Sequence, residues 1–219
     1  MHTTSFDKYR DIYVSVNGIT LTGIAQSPEQ AKSVVLFAHG ASGTRFSALN
    51  RFVADQLTIA GFATVLMDLL TPGERSLAQQ RGLKANIALI ASRLICTIDW
   101  IKRDAALQQL PLGLFGSNTG ATAALAVAIE RSVDIGAVVL SNAKPDLIKN
   151  YLPLVKAPTL LIAGDKDHAQ LQWNRETLPA LGEQYQAEAI SGSTHDTGNK
   201  HILEQIAGHT TQWFAKKLS

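Results

Sequence analysis

Short apolar runs alternate along this chain with longer stretches of helical period. Asp11–Val16 and Ile19–Ala25 alternate apolar and polar positions, and Asn17-Gly18 joins them. Both turn residues tolerate positive φ, so the pair predicts a β-hairpin. Beyond it the runs lose their polar face. Ser33–Ala38, Ala63–Met67, Leu112–Phe115, Ala137–Leu140, Thr159–Ala163 and, more weakly, Tyr185–Ile190 read as strands buried on both faces of a parallel sheet. Helical periodicity falls near Ser47–Ala60, Leu83–Arg103, Thr119–Glu130, Leu171–Leu181 and His201–Lys217, with Gly61 and Gly182 as stops for the first and fourth. Strand–helix alternation implies right-handed βαβ crossovers. The expected fold class is α/β: three layers around a mostly parallel eight-stranded sheet with an N-terminal hairpin. No linker or repeat divides the chain, so residues 1–219 read as a single domain. Leu140 and Thr159 are separated by only 18 residues, too few for an inserted lid domain.

Composition narrows the function classes. Apolar residues make up 46% of 219, enough for a sizeable core, and charged residues 17%. The net charge is only +2, with no Lys/Arg run, so neither nucleic acid nor a membrane surface is an expected partner. The single cysteine, Cys96, allows no internal disulfide and lies in an apolar helical stretch that reads as core. The polar first ten residues do not resemble a signal peptide, and no window has the apolar length of a membrane helix. The expectation is a soluble, cytoplasmic protein.

In parallel α/β sheets ligands gather at the carboxyl ends of strands, and the residues there carry the chemistry. After Ser33–Ala38 comes His39-Gly40-Ala41-Ser42-Gly43, whose exposed N–H groups could build half of an oxyanion hole or form a plain glycine turn. After Leu112–Phe115 comes Gly116-Ser117-Asn118-Thr119-Gly120, running into an alanine-rich helix. Small residues around one central position at a strand-to-helix turn have the shape of a nucleophile elbow, G-x-S-x-G, with Asn118 in the central place. The run lacks the Gly-Lys-Ser/Thr ending of a phosphate loop. After Thr159–Ala163 comes Gly164-Asp165-Lys166-Asp167, and after Tyr185–Ile190 comes Ser191-Gly192-Ser193-Thr194-His195. Elbow, acid, histidine is the chain order of an α/β-hydrolase triad. The histidines show no metal-ligand spacing, and neither metal nor cofactor is expected.

On these segments the chain resembles the dienelactone-hydrolase-like group of α/β-hydrolases, the small lidless branch. The resemblance covers nearly the whole chain and is carried by 36–45 (LFAHGASGTR), 50–57 (NRFVADQL), 63–74 (ATVLMDLLTPGE), 112–126 (LGLFGSNTGATAALA), 144–147 (KPDL), 157–167 (APTLLIAGDKD), 174–175 (NR) and 191–195 (SGSTH). It implies that Asn118 occupies the nucleophile position, Asp167 that of the acid and His195 that of the base, with the backbone N–H groups of Ala41 and Thr119 as the oxyanion hole. Asp165 competes with Asp167. Relatives carry Ser where this chain has Asn118, and Asp196-Thr197-Gly198 after the histidine also departs from their pattern.

The Asn118 departure changes the expected chemistry. A carboxamide has no proton to give a histidine at neutral pH, and its oxygen is a poor nucleophile. The acyl-enzyme route is therefore expected to be disabled, while Asn remains suited to a positive-φ turn. Ser117 sits one residue early, Ser42 has no recognised base, and Thr119 is a poor follower for deamidation of Asn118. The reading is an esterase-like protein that acts on or binds a small ester or lactone. The alternatives are a non-catalytic small-molecule-binding pseudo-hydrolase, or a nucleophile-substituted variant of an active serine hydrolase. The oligomeric state is not readable from the sequence.

Overall fold

The structure is a computed structural model that describes residues 9–40, 43–81, 87–192 and 199–218. Eight strands form one sheet: β1 Arg10–Val16, β2 Ile19–Gln26, β3 Val34–Ala38, β4 Ala63–Met67, β5 Leu112–Ser117, β6 Ile135–Ser141, β7 Thr159–Gly164 and β8 Tyr185–Ile190. Their order is β1-β2-β4-β3-β5-β6-β7-β8. β1 pairs antiparallel with β2, with Val16 opposite Ile19 across the Asn17-Gly18 turn, and β2 pairs antiparallel with β4. Every later pairing is parallel. The expected three-layer α/β fold with an N-terminal hairpin is what the chain adopts. No helix among the described residues is long and apolar enough to cross a membrane.

The helices are α1 Ala48–Ile59, α2 Pro72–Arg81, α3 Ile87–Ile101, α4 Thr119–Glu130, α5 Pro145–Ile148, α6 His168–Leu181 and α7 Lys200–Lys217. They cover both faces of the sheet. On one face Val35, Phe37, Phe115, Val139 and Ile162 pack against α1 and α7 through Val53, Leu57, Ile206 and Phe214. On the other, Leu36, Leu114, Val138 and Leu140 pack against α3 and α4 through Leu94, Ile98, Ala124 and Leu125. This double burial explains why β3, β4 and β5 are buried at every position and read as unbroken apolar runs. Cys96 is partly buried against the α3 side of the core.

Besides the one-turn α5, which no helical periodicity announced, two helices differ from the sequence reading. α2 has no apolar stripe and was not expected. Its signal is chemical: Pro72 at the first turn, and a capping box in which Thr71 N–H and Oγ1–H donate to Glu74 Oε2 at 2.8 and 2.9 Å. α6 begins at His168, three residues before the expected Leu171, because Asp167 caps it by accepting the Gln170 N–H at 3.1 Å.

The strand order fixes where a site can form. From β3 the chain moves outward to β4, then returns to the opposite side of β3 as β5. The loops leaving β3 and β5 therefore diverge, and a crevice opens at their carboxyl ends. Glycines let the crevice walls meet. A Cβ on Gly120 would lie 2.2 Å from the Ala38 carbonyl oxygen, and one on Gly40 1.7 Å from Thr119 Oγ1. The first contact is with backbone and cannot be relieved by a rotamer change. Gly120→Ala is expected to cost about 3 kcal/mol by overpacking. The melting temperature should fall by roughly 6–12 °C, measurable by calorimetry.

Candidate active site

Asn118 stands at the β5-to-α4 turn with φ +52° and ψ −122°. Positive φ suits asparagine, but this ψ lies outside the left-handed basin that asparagine favours. The turn is therefore strained, of the kind that costs about 1–3 kcal/mol and persists only when its surroundings enforce it. They do so here through backbone bonds: Asn118 N–H donates to the Ser141 carbonyl at 3.1 Å, and its own carbonyl accepts the Ala121 N–H at 3.1 Å. The side chain makes no capping bond to α4. Asn118 is exposed, whereas its neighbours Ser117 and Thr119 are each only 6% exposed. The turn presents residue 118 and turns Ser117 inward. Thr119 opens α4, so its N–H is among those that a helix leaves without an internal acceptor.

A cavity of about 260 Å³ adjoins this turn, lined by His39, Gly40, Gly43, Ser47, Asn50, Ser117 and Asn118. His39 belongs to its frame. It is 2% exposed, and its Nε2–H donates to the Met67 carbonyl at 2.8 Å. Burial pushes the imidazole pKa below its ordinary value, and the ring ties β3 to β4. The loop after Gly40 is held from the other side. Thr44 N–H donates to Ser47 Oγ at 2.7 Å, and Arg45 N–H donates to Asp68 Oδ1 at 3.0 Å. The Arg45 guanidinium pairs with the same carboxylate and donates to Thr22 Oγ1 at 2.9 Å. Asp68, at the end of β4, thus clamps the loop that follows the candidate oxyanion residues. Sequence reading missed this clamp. Its only signal was an acidic residue directly after a buried strand.

At the end of β7 the two candidate acids diverge. Asp165 prolongs the β7–β8 ladder, its N–H donating to the Ile190 carbonyl at 2.9 Å. Its Oδ2 accepts the Gly192 N–H at 3.1 Å, and its Oδ1 is buried without a hydrogen-bond partner among the described residues. Asp167 is half-buried and caps α6. On α7, Gln205 holds the root of the loop after β8, its Oε1 accepting the Ser191 N–H at 3.0 Å. His195 and Ala41 lie outside the described residues. The structure therefore brings Asn118, Thr119, Asp165, Asp167 and the Ser191-Gly192 loop root to one edge of the sheet, the carboxyl ends of β5, β7 and β8.

Comparison with known proteins bears out the fold. The dienelactone hydrolase family model matches residues 21–196. The crystal structure of a dienelactone hydrolase from Anabaena variabilis is 38% identical, superposes with a TM-score of 0.88, and is covered over 97% of this chain and 99% of that one. An esterase from Pyrococcus furiosus, Pf2001, is 15% identical with a TM-score of 0.76 over 99% of this chain and 95% of that one, a likeness of fold alone. Proteins of two Mycobacterium tuberculosis strains named "Putative phosphoribosyl transferase" are 38% identical over 208 residues, 95% of this chain. This chain spans only 46% of their length, so about half of those proteins has no counterpart here. With an α/β-hydrolase sheet, a strained elbow and a family match over most of its length, the chain belongs to the dienelactone hydrolase family.

Proposed function

We propose that this protein is an esterase-like member of its family whose pocket takes a small ester or lactone and whose acyl-enzyme route is disabled at Asn118. One observation carries the reading: Asn118 sits exposed on a fully formed elbow at φ +52° and ψ −122°. A turn that strained is retained together with its glycine frame, while the side chain it displays cannot act as the nucleophile. The Thr119 and Ala41 N–H groups would polarise the bound carbonyl, with Asp167 and His195 as acid and base. The Asn118 carboxamide offers both a donor and an acceptor to a carbonyl ligand. The 260 Å³ cavity is small, in keeping with a short-chain substrate.

A second reading, pure ligand binding without turnover, is favoured by the same carboxamide. Two measurements on the native chain separate the readings. Thermal-shift titration with short-chain lactones and aryl esters is expected to show stabilisation. Initial-rate assays with the same compounds are expected to show at most a slow hydrolysis that His195→Ala abolishes, through water activated by the histidine. Stabilisation without His195-dependent turnover selects the binding reading. The absence of both stabilisation and turnover overturns the ester or lactone assignment.

A further inference from the structure

β8 forms one edge of the sheet, and a groove of about 780 Å³ runs beside it under α6. The groove lies apart from the elbow. It exists because Ala187 and Ala189, the outward β8 residues between Tyr185 and Ile190, are small and exposed. The ladder with β7 uses the even-numbered residues: Gln184 and Ile190 accept the N–H groups of Thr159 and Asp165 at 2.8 and 2.9 Å. By alternation Ala187 and Ala189 turn their backbone N–H and C=O groups toward the open edge. Asn174 of α6 lines the groove, is 4% exposed, and has both carboxamide atoms buried without a partner among the described residues.

The opposite edge of the sheet is guarded differently. β1 shows exposed Arg10, Asp11 and Tyr13, bulky and charged groups that hinder strand addition. β8 shows Ala187 and Ala189 on its α6 side and Gln186 and Glu188 on the other. On its second face a smaller cleft of about 180 Å³ separates it from α7, lined by Gln186, Glu188, His209 and Lys216, with His209 Nδ1 3.8 Å from Glu188 Oε2.

We infer that the β8 edge is an interface with a second copy of this chain, the two β8 strands pairing antiparallel about a two-fold axis. The segment YQAEAI is complementary to its own surroundings. A two-fold axis perpendicular to the sheet keeps like faces together. The second copy's alanines therefore fall on the α6 side, where small residues let the two helices close over the groove. Its Glu188 falls on the α7 side, where Lys216 offers a cationic partner. Glu183 and Arg175, both exposed along the groove, add further groups of opposite charge to this face. A foreign extended peptide would meet the same backbone edge without these charge matches.

Sedimentation velocity on the native chain tests this inference. The expected species at micromolar concentration is a dimer of 47.2 kDa, twice the 23.6 kDa chain. Ala189→Pro removes an outward N–H and leaves the β7 ladder intact, as edge positions permit. Losing that bond in both copies should weaken the dimer on the order of 30-fold. Ala187→Arg blocks the groove without touching the backbone and should give a monomer as well. Circular dichroism should show both variants folded, and if Ala189→Pro unfolds, Ala187→Arg alone decides. A native chain that stays monomeric at about 100 μM, far above the micromolar dissociation constant expected of a specific dimer, overturns the inference and leaves the edge to another occupant or none. A folded Ala187→Arg variant that dimerises as the native chain does overturns it equally.

Discussion

Asn118→Ser is expected to raise turnover of short-chain aryl esters and lactones by on the order of 10³-fold or more. The size follows from what a nucleophile contributes. In a well-studied serine protease its loss costs on the order of 10⁶ in turnover, and roughly 10³–10⁴ over water survives through the remaining site. Here the elbow itself needs no rebuilding. The elbow is held by Ser141 and Ala121, the glycine frame is in place, and a serine fits the space of the larger asparagine. The variant should lose a little stability, since serine tolerates positive φ less well than asparagine. His195→Ala in the same background should remove the gain, because the imidazole is the group that takes the serine proton. Initial rates of the two variants check both statements. An Asn118→Ser protein that is folded yet as inert as the native chain would show that the defect lies elsewhere.

The second large effect is structural. Removing Glu74 is expected to cost about 2–4 kcal/mol, because Arg93 is only 4% exposed and would be left as a buried cation. Arg93 Nη1 and Nη2 donate to Glu74 Oε2 and Oε1 at 2.6 Å each, and Nη1 also donates to the Leu69 carbonyl at 2.8 Å. This fork joins α3 to the capping box of α2. The Arg93 guanidinium, foremost among its causes, holds the Glu74 carboxyl well below the usual range, at about 2. A depressed folded-state pKa means that the unfolded chain binds the proton first. The pair's contribution is thus complete above the unfolded value near 4.5 and fades as pH falls toward 2. Discounted for a carboxylate 32% exposed, that pH-dependent share is about 1–2 kcal/mol. Glu74→Ala should lower the melting temperature by roughly 5–15 °C at pH 7. Glu74→Gln should flatten the acid arm between pH 4.5 and 2, read as urea midpoints. Glu74→Gln with Arg93→Met should recover part of the loss, since removing both partners leaves no buried charge unpaired.

What the sequence disclosed followed the strength of its periodic signal. β3, β4 and β5 are buried on both faces, and their apolar runs placed them within about two residues. The elbow was legible because glycine at 116 and 120 is demanded by backbone approach, a constraint that composition cannot imitate. α2 escaped because it carries no apolar stripe and is defined by a proline and a reciprocal cap. The Asp68–Arg45 clamp escaped because its partners are 23 residues apart and meet only once β4 lies beside β3. Ser117, one residue early in the sequence, turns inward beside an exposed Asn118. The groove beside β8 was invisible in a segment whose alternation was weak, since its alanines matter for the space they leave.

The central claim is that an intact hydrolase elbow carries a residue unable to form the acyl-enzyme. Intact-mass spectrometry after treatment with a fluorophosphonate serine probe tests it most directly. The native chain is predicted to stay unlabelled, and Asn118→Ser to gain one adduct, mapped to residue 118 by peptide digestion. Stoichiometric labelling of the native chain at Ser117 or Ser42, or an Asn118→Ser protein that is folded yet takes no label, would contradict the account.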